Sequence, residues 1–522
     1  MMEVLMMASL FIAQAVVVPI GTAIERATGA SSLLAAAAQI PPPGPIFAQP
    51  YLAQDVHQIK RQQLASNALA RLRSVLTGSG VRSERHAALR DERLLDLVQC
   101  AAEPSSARPD GVEETLDQKS ARALACALEA LATLCAADAA DTAGAERTSL
   151  APLRDGAKQL ASRAEALADA MCLSDAVASR WAIRRLLGAS LTTTKLDAIA
   201  APLPFDMYPG LVALPAPWAG HASEEDLSHA LLPSVSRLVP SLSVAALRDD
   251  VAFEQATLLT ADGRKVRERR HTAWLGEEGV GALAYSGKLM SPSPLSECST
   301  ICSLRDALRA DLGQSFDCAL ANLYSAGGKT ACAWHRDPEH GDAIDGAKWA
   351  RHTFVVSAGE SRIFAFRPFR EAGEAPTNER DRHTISLFTG DVVTMHGDCN
   401  EAWEHSVLPG QGSANEGPRV SLVFKRALVG LDGKRGHTLA GKGRRAKARL
   451  REAMERGAGN AAAGNAGGGS SKPRRKVAAA PGSEQGSGDS NTSMVTAAGP
   501  EVINLDVFSE KAMSFFTVTF AL

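Results

Sequence analysis

The sequence predicts an α+β protein in three parts: an all-α region over residues 56–200, a strand-rich domain over 205–430, and a basic, low-complexity tail over 431–500. Three observations carry this reading. Gln58–Leu76 has apolar residues at helical spacing, and Arg122–Ala136 and Leu153–Cys172 are rich in Ala and Leu, residues of high helix propensity. From about residue 250 the pattern changes to short alternating segments separated by turn residues. Beyond Leu431 apolar residues thin out: Lys425–Arg456 carries eleven Lys/Arg against three Asp/Glu, and residues 457–500 are rich in Gly, Ala and Ser, a composition that predicts disorder.

The chain has 522 residues, enough for two or three domains with a sizeable core, and its net charge of −2 says nothing about partners. Nine cysteines, an odd number without a CxxC pair or a dense framework, read as reduced intracellular thiols. Cys298 and Cys302, four apart, are too little for a zinc site. Residues 1–55 form an apolar, Pro-rich N-terminal segment. Val4–Ile24 is uncharged and approaches the length of a membrane span, but Pro19 interrupts it and Glu3 stands where a secretory signal has its positive region. An organelle transit peptide, a buried helix and an upstream extension of the reading frame all fit this stretch. The basic tail, with Lys472-Pro473-Arg474-Arg475-Lys476 inside it, points to the nucleus; the acid-poor N-terminus points to a chloroplast or mitochondrion. Residues 501–522 stay unassigned, and a monomer without permanent membrane association is expected.

The helical region reads as several antiparallel helices without a fixed repeat, a packing or interaction module in which no residue calls for chemistry. Prolines 202, 204, 209, 215 and 217 then punctuate the chain. Asp262-Gly263 is a hairpin signal. Ser361–Phe366, Thr384–Phe388, Val392–Met395 and Arg419–Phe424 read as strands, with Leu304–Leu312 the one good helix among them. Many strands with few helices predict a β-sandwich or barrel-like core.

Within that domain, His335 and Asp337 are two residues apart. On an extended strand they face the same way and can share one metal ion; a later histidine completes a two-His, one-carboxylate triad, which holds iron(II) and leaves positions open. His405, on the short strand His405–Leu408, is the best third ligand, with His396 second. Arg419 can clamp the far carboxylate of a diacid co-substrate. Alternation puts Arg419, Ser421, Val423 and Lys425 on one face of their strand, and Asn322 and Tyr324 on one face of theirs. In isolation the Arg419 strand reads as an ordinary edge strand with exposed charge.

Taken together, Asn322-Leu323-Tyr324, His335-Arg336-Asp337, Val356–Phe364, Gly390-Asp391-Val392-Val393, Trp403–Val407 and Arg419–Leu422 resemble, in order, the motifs of the AlkB family of iron(II)/2-oxoglutarate dioxygenases. The resemblance covers roughly residues 265–428. It implies a double-stranded β-helix (jelly-roll) domain with iron held by His335, Asp337 and His405, Asp337 being also the residue most central to catalysis. It further implies 2-oxoglutarate held by Arg419 and Tyr324, with Asn322, Ser421 and Lys425 nearby. Arg269–Gly276 and Ala284–Gly287 resemble the substrate lid of the nucleic-acid repair branch. That makes Trp274, Tyr285 and Glu339 substrate-binding candidates, although core packing of the two aromatics fits equally well. The sequence departs from the family at Lys425, where a second arginine is usual, and at Ser421, where an asparagine is.

The activity implied is oxidative demethylation of N-alkylated bases in nucleic acid, DNA ahead of RNA, releasing succinate, CO2 and formaldehyde. The Arg264–Arg270 run and the basic tail are candidate phosphate contacts. Two other readings stand beside it: the same chemistry on a protein or small molecule, and an inactive scaffold.

Overall fold

In the computed structural model the described residues are 20–40, 51–76, 81–103, 114–141, 150–213, 227–259, 265–285, 288–327, 330–337, 339–342, 347–371, 381–409, 417–429 and 435–436. The Asp262-Gly263 turn, the Lys/Arg-rich tail and residues 501–522 lie outside them, as does Arg264.

The first part is a helical bundle. Its helices are α1 (Ala30–Ala37), α2 (Tyr51–Leu76), α3 (Arg82–Ala88), α4 (Glu92–Ala102), α5 (Glu114–Asp141), α6 (Ala151–Ala166), α7 (Leu173–Leu187) and α8 (Thr194–Ala200). Their apolar stripes make one core: Leu64, Ala68, Leu69, Leu72 and Leu76 from α2 meet Leu124, Leu128 and Leu131 from α5. Residues 20–40 fold into the same cluster through Ile20, Ile24, Leu33 and Leu34. Alanines at 121, 127 and 130 let neighbouring helices approach α5 closely. Asp117–Ala139 is long and apolar enough to cross a membrane, but 83% of its apolar window is buried inside the protein. The hydropathy of α5 is that of a central bundle helix.

The second part is built on two antiparallel-dominated sheets. The larger has the order β1-β15-β12-β17-β8-β4-β7, the smaller β14-β13-β16-β9. The strands are β1 (Phe205–Tyr208), β2 (Thr257–Leu259), β3 (Lys265–Arg267), β4 (His271–Gly276), β5 (Leu283–Tyr285), β6 (Lys288–Met290), β7 (Ser293–Pro294), β8 (Cys318–Tyr324) and β9 (Cys332–His335). They continue with β10 (His340–Gly341), β11 (Trp349–Ala350), β12 (Thr353–Gly359), β13 (Arg362–Pro368), β14 (His383–Leu387), β15 (Val392–Met395), β16 (Trp403–Val407) and β17 (Arg419–Lys425). From β8 to β17 the chain passes repeatedly between the two sheets.

The larger sheet is covered on both faces, which is why β8 and β17 are buried at every position. Leu320, Tyr324, Val355, Val393 and Val423 face the smaller sheet, where Phe364, Phe366, Ile385 and Val407 complete a core. Ala321, Leu323, Phe354, Val420, Leu422 and Phe424 pack on the other side. They meet α9 (Pro233–Leu238), α10 (Val244–Asp250) and α11 (Ser299–Leu312), which contribute Val235, Leu247, Ile301, Leu304 and Leu308. Helix α11 stops where Gly313 takes a left-handed φ of 68°.

Helix α7 joins the two parts. Arg180, Trp181 and Arg184 all donate to Asp206 on β1. Arg185 donates to Asp391 Oδ2 at 2.6 Å, both side chains being almost fully buried. Asp391 also accepts from the backbone N–H of Gly210 and Phe388. The Gly210 contact needs glycine: a Cβ there would lie 2.3 Å from the Gly390 carbonyl carbon.

Candidate metal centre and co-substrate pocket

Strands β9 and β16 pair so that His335 sits directly opposite His405. The register shifts between His405 and Val407, so that two residues of β16 span Cys332 to His335 of β9. This bulge turns both Cys332 and His335 towards the space between the sheets. The two imidazole centroids are 4.3 Å apart. Asp337 is not on the strand, as its spacing from His335 suggested; it lies two residues past the end of β9. It reaches the site because Lys425 of β17 draws its carboxylate inward, Nζ to Oδ2 at 2.5 Å. Asp337 Oδ1 is 3.6 Å from His335 Nε2, and ligand atoms of His335, Asp337 and His405 lie within 4.8 Å of one another. Adjacent ligands on one cation at ~2.1 Å each would be about 3 Å apart, so the three side chains would have to draw together around an ion. His396 is not part of it; its ring lies 6.2 Å from that of His352.

The protonation states suit a cation. His335 Nδ1 donates to the Ala333 carbonyl at 2.8 Å, which leaves Nε2 for a metal. Burial, with the neighbouring His335, pushes His405 down to about 3, so its imidazole is neutral; its Nδ1 is buried with no hydrogen-bond partner. Burial alone would raise the Asp337 carboxyl, but Lys425, then His405 and His335, hold it below the usual carboxylate range. Burial also works against a charge on His335, yet the Cys332 sulfur and Asp337 outweigh it and raise the pKa to about 9. A divalent cation held by these residues would take the place of that proton.

The co-substrate side lies on β17. This strand is no edge: it runs between β12 and β8. The expectation of exposed charge fails because the two halves of the larger sheet close around it, and Arg419 is 0% exposed. The register puts Arg419 beside Tyr324, Ser421 beside Asn322 and Lys425 beside Cys318. Arg419 Nη2 donates to Ser357 Oγ at 2.8 Å, while Nε and Nη1 are buried without an acceptor. Its guanidinium carbon stands 5.3 Å from the Tyr324 ring centroid. Burial lowers its pKa. A wholly enclosed guanidinium with two unanswered donors is costly on its own and is satisfied by a carboxylate. Asn322 Oδ1 is likewise buried and unanswered. These residues fit a small dicarboxylate reaching from Arg419 towards the metal ligands.

Of the substrate candidates, Trp274 is corrected. It is 1% exposed, its indole N–H donates to Gly281 O at 3.0 Å, and it packs edge-on against Trp349 at 5.3 Å. The His271–Gly276 segment is therefore strand β4 of the larger sheet and not a lid, because its alternate residues fill both cores. The segments that stand off the sheet are the ribbons β2–β3 and β5–β6, with Val266 and Leu289 exposed. The Tyr285 backbone lies in β5, paired with Lys288. Glu339 has a left-handed φ of 65°, unique among the described non-glycine residues, and pairs with Lys348 at 3.0 Å. A strained backbone next to a metal ligand is the kind of position that function retains.

Ser357, Cys332 and His340 had no role in the sequence reading, and Arg270, expected there among the phosphate contacts, is instead buried beside the site. Arg270 Nη1 donates to Cys332 Sγ at 2.8 Å. Burial raises the Cys332 thiol, but His335 and Arg270 overcome it and bring it to about 7. His340 left a signal as a ligand-type residue close behind His335 and Asp337, whereas Ser357 and Arg270 stood in motifs that gave no hint of these contacts.

The sequence matches the 2OG-Fe(II) oxygenase superfamily over residues 241–425, a span that contains all three metal ligands and Arg419. Residues 241–425 thus form a 2OG-Fe(II) oxygenase domain within the chain. The domain makes the protein a 2-oxoglutarate- and iron(II)-dependent dioxygenase, and His335, Asp337 and His405 are its candidate metal triad. Together iron(II) and 2-oxoglutarate supply oxidising power by coupling decarboxylation of 2-oxoglutarate to oxidation of a second substrate. Similar solved structures include OsALKBH1, at 15% identity over 43% of this chain and 96% of that one, with a TM-score of 0.26. They also include a Pseudomonas putida prolyl-4-hydroxylase, at 13% identity over 44% and 88%, with a TM-score of 0.19. No curated protein matches the oxygenase.

Proposed function

We propose that the oxygenase is an AlkB-type demethylase of N-alkylated bases in nucleic acid, DNA ahead of RNA, and that its two sheets form a double-stranded β-helix. The motif order from Asn322 to Leu422 supports the AlkB assignment. The observation that carries the substrate class is the rim of the site. His335 is the most open of the three ligands, its side chain 30% exposed against 11% for Asp337. Next to it Trp334 lies against the guanidinium of Arg367 at 4.3 Å and that of Arg382 at 5.4 Å. Arg336 stacks over Phe369 at 3.4 Å. Lys265, Arg267 and Arg269 are exposed on and beside the β2–β3 ribbon. Aromatic faces interleaved with cations suit bases and phosphates.

In this reading the protein's own residues bind and orient. Arg419 and Tyr324 hold the far carboxylate of the co-substrate, the two closed faces of the larger sheet exclude water from it, and Glu339 contacts a base flipped out of its stack. The test is turnover of oligonucleotides carrying N1-methyladenine or N3-methylcytosine, as single- and double-stranded DNA and as RNA, with iron(II) and 2-oxoglutarate. Succinate and formaldehyde are expected in step, and D337A abolishes both. Wild-type protein that binds iron but turns over none of these substrates overturns the reading.

A further inference from the structure

We infer that Lys425 and His340 act as a coupled positioning pair, which commits Asp337 to the metal through one oxygen. The inference concerns how the metal site is built and holds whatever the substrate is.

Lys425 ends β17, 3% exposed, on the same face as Arg419 and Ser421. An ammonium has three N–H donors and no acceptor. One donates to Asp337 Oδ2 at 2.5 Å and a second to His340 Nε2 at 2.8 Å. His340 Nε2 must then be the unprotonated ring nitrogen, and Nδ1 carries the hydrogen that it donates to the Ala350 carbonyl at 2.7 Å. That carbonyl is fixed from the backbone: Ala350 pairs with Gly341 in the short β10–β11 ladder, and its N–H donates to Arg426 O at 2.9 Å. The Thr353 hydroxyl, 3.4 Å from His340 Nδ1, closes the ring's other side. A directed chain results, from main chain through His340 and Lys425 to one oxygen of Asp337.

Its consequence lies in what remains. With Oδ2 taken, Oδ1 is the oxygen turned to His335 Nε2, so Asp337 offers a metal one oxygen and leaves the remaining positions open for co-substrate. A lysine alone does not secure this. Its ammonium is a compact charge on a flexible stem, whereas arginine presents a planar fork that defines its own orientation against a carboxylate. His340 supplies the missing direction by occupying a second N–H. The inference therefore ties two features of this chain together: lysine at 425 works because histidine stands at 340.

The test is a double-mutant cycle read by cobalt(II) binding to the full-length chain, using affinity and the visible ligand-field spectrum, with circular dichroism of the metal-free protein as the check on folding. H340L, which removes the acceptor, should weaken cobalt(II) binding at least fivefold and change the spectrum. H340Q, which keeps an acceptor, should stay within about twofold of wild type. In a K425R background, H340L should change affinity less than twofold and leave the spectrum alone. Folding of H340L only when combined with K425R also supports the pair. H340L with wild-type affinity and spectrum overturns the inference, as do equal losses in both backgrounds. Failure of H340L to fold in either background assigns His340 to packing and overturns it too.

Discussion

Arg419 shows how one residue can be expensive to the fold and yet suit the proposed co-substrate site. It is entirely buried, and only its bond to Ser357 answers its five donors within the pocket's described walls. Stability selection would replace such a group with an apolar one, and replacing buried charge in this way is often neutral or stabilising. R419M should accordingly keep or slightly raise the melting temperature of the metal-free protein. It should also weaken 2-oxoglutarate binding by about 100-fold, the scale of two lost charge-assisted hydrogen bonds. Calorimetric titration with manganese(II) present checks it, and unchanged 2-oxoglutarate affinity removes Arg419 from the pocket. The residue was legible in the sequence from the motif around it. Its burial was not, because the same alternation describes an exposed edge strand and a central one; only long-range pairing of β17 with β8 and β12 decides between them.

At the scale of elements, the strands around the site were legible almost to the residue: Ser361–Phe366, Val392–Met395 and Arg419–Phe424 correspond to β13, β15 and β17. Alternation with β-branched residues is a local property and survives folding. Trp274 misled because an aromatic in a strand carries no mark of which face is buried. The β9 bulge and the path of Asp337 beyond the strand were invisible for the same reason, since both depend on β16 and β17. Strand β14 illustrates a cost of this packing. His383 points inward against Phe205 and Trp403, 3% exposed, with neither ring nitrogen hydrogen-bonded. Burial pushes its pKa down to about 4. Between about pH 6.5 and 4 the unfolded chain binds this proton and the folded chain does not, so the contribution of His383 weakens the fold as pH falls through that window. H383F should therefore gain relative to wild type on acidification, by about 2 kcal/mol at pH 5 compared with pH 7. Urea unfolding at the two pH values measures it, and a pH-independent difference would show that His383 is not buried neutral.

For the molecule as a whole, the sequence suggested a helical module beside an oxygenase, and the structure binds them through α7. The Arg185–Asp391 pair is 4% and 1% exposed. R185M leaves the Asp391 carboxylate buried with only backbone donors and should destabilise the protein by about 3 kcal/mol. R122A, at a pair whose arginine is 61% exposed, should cost less than about 1 kcal/mol. Comparison of the two urea midpoints tests whether α7 is part of the oxygenase's own stability; equal midpoints would make it an appendage.

That same joint has a consequence for how the protein is made. Arg185 and Asp391 are 206 positions apart in the chain. At about 5–20 residues per second of synthesis, α7 leaves the ribosome roughly 10–40 s before the carboxylate that receives it. Throughout that interval Arg185 stands on a finished helix without its carboxylate, part of a waiting surface for any chaperone that attends the nascent chain.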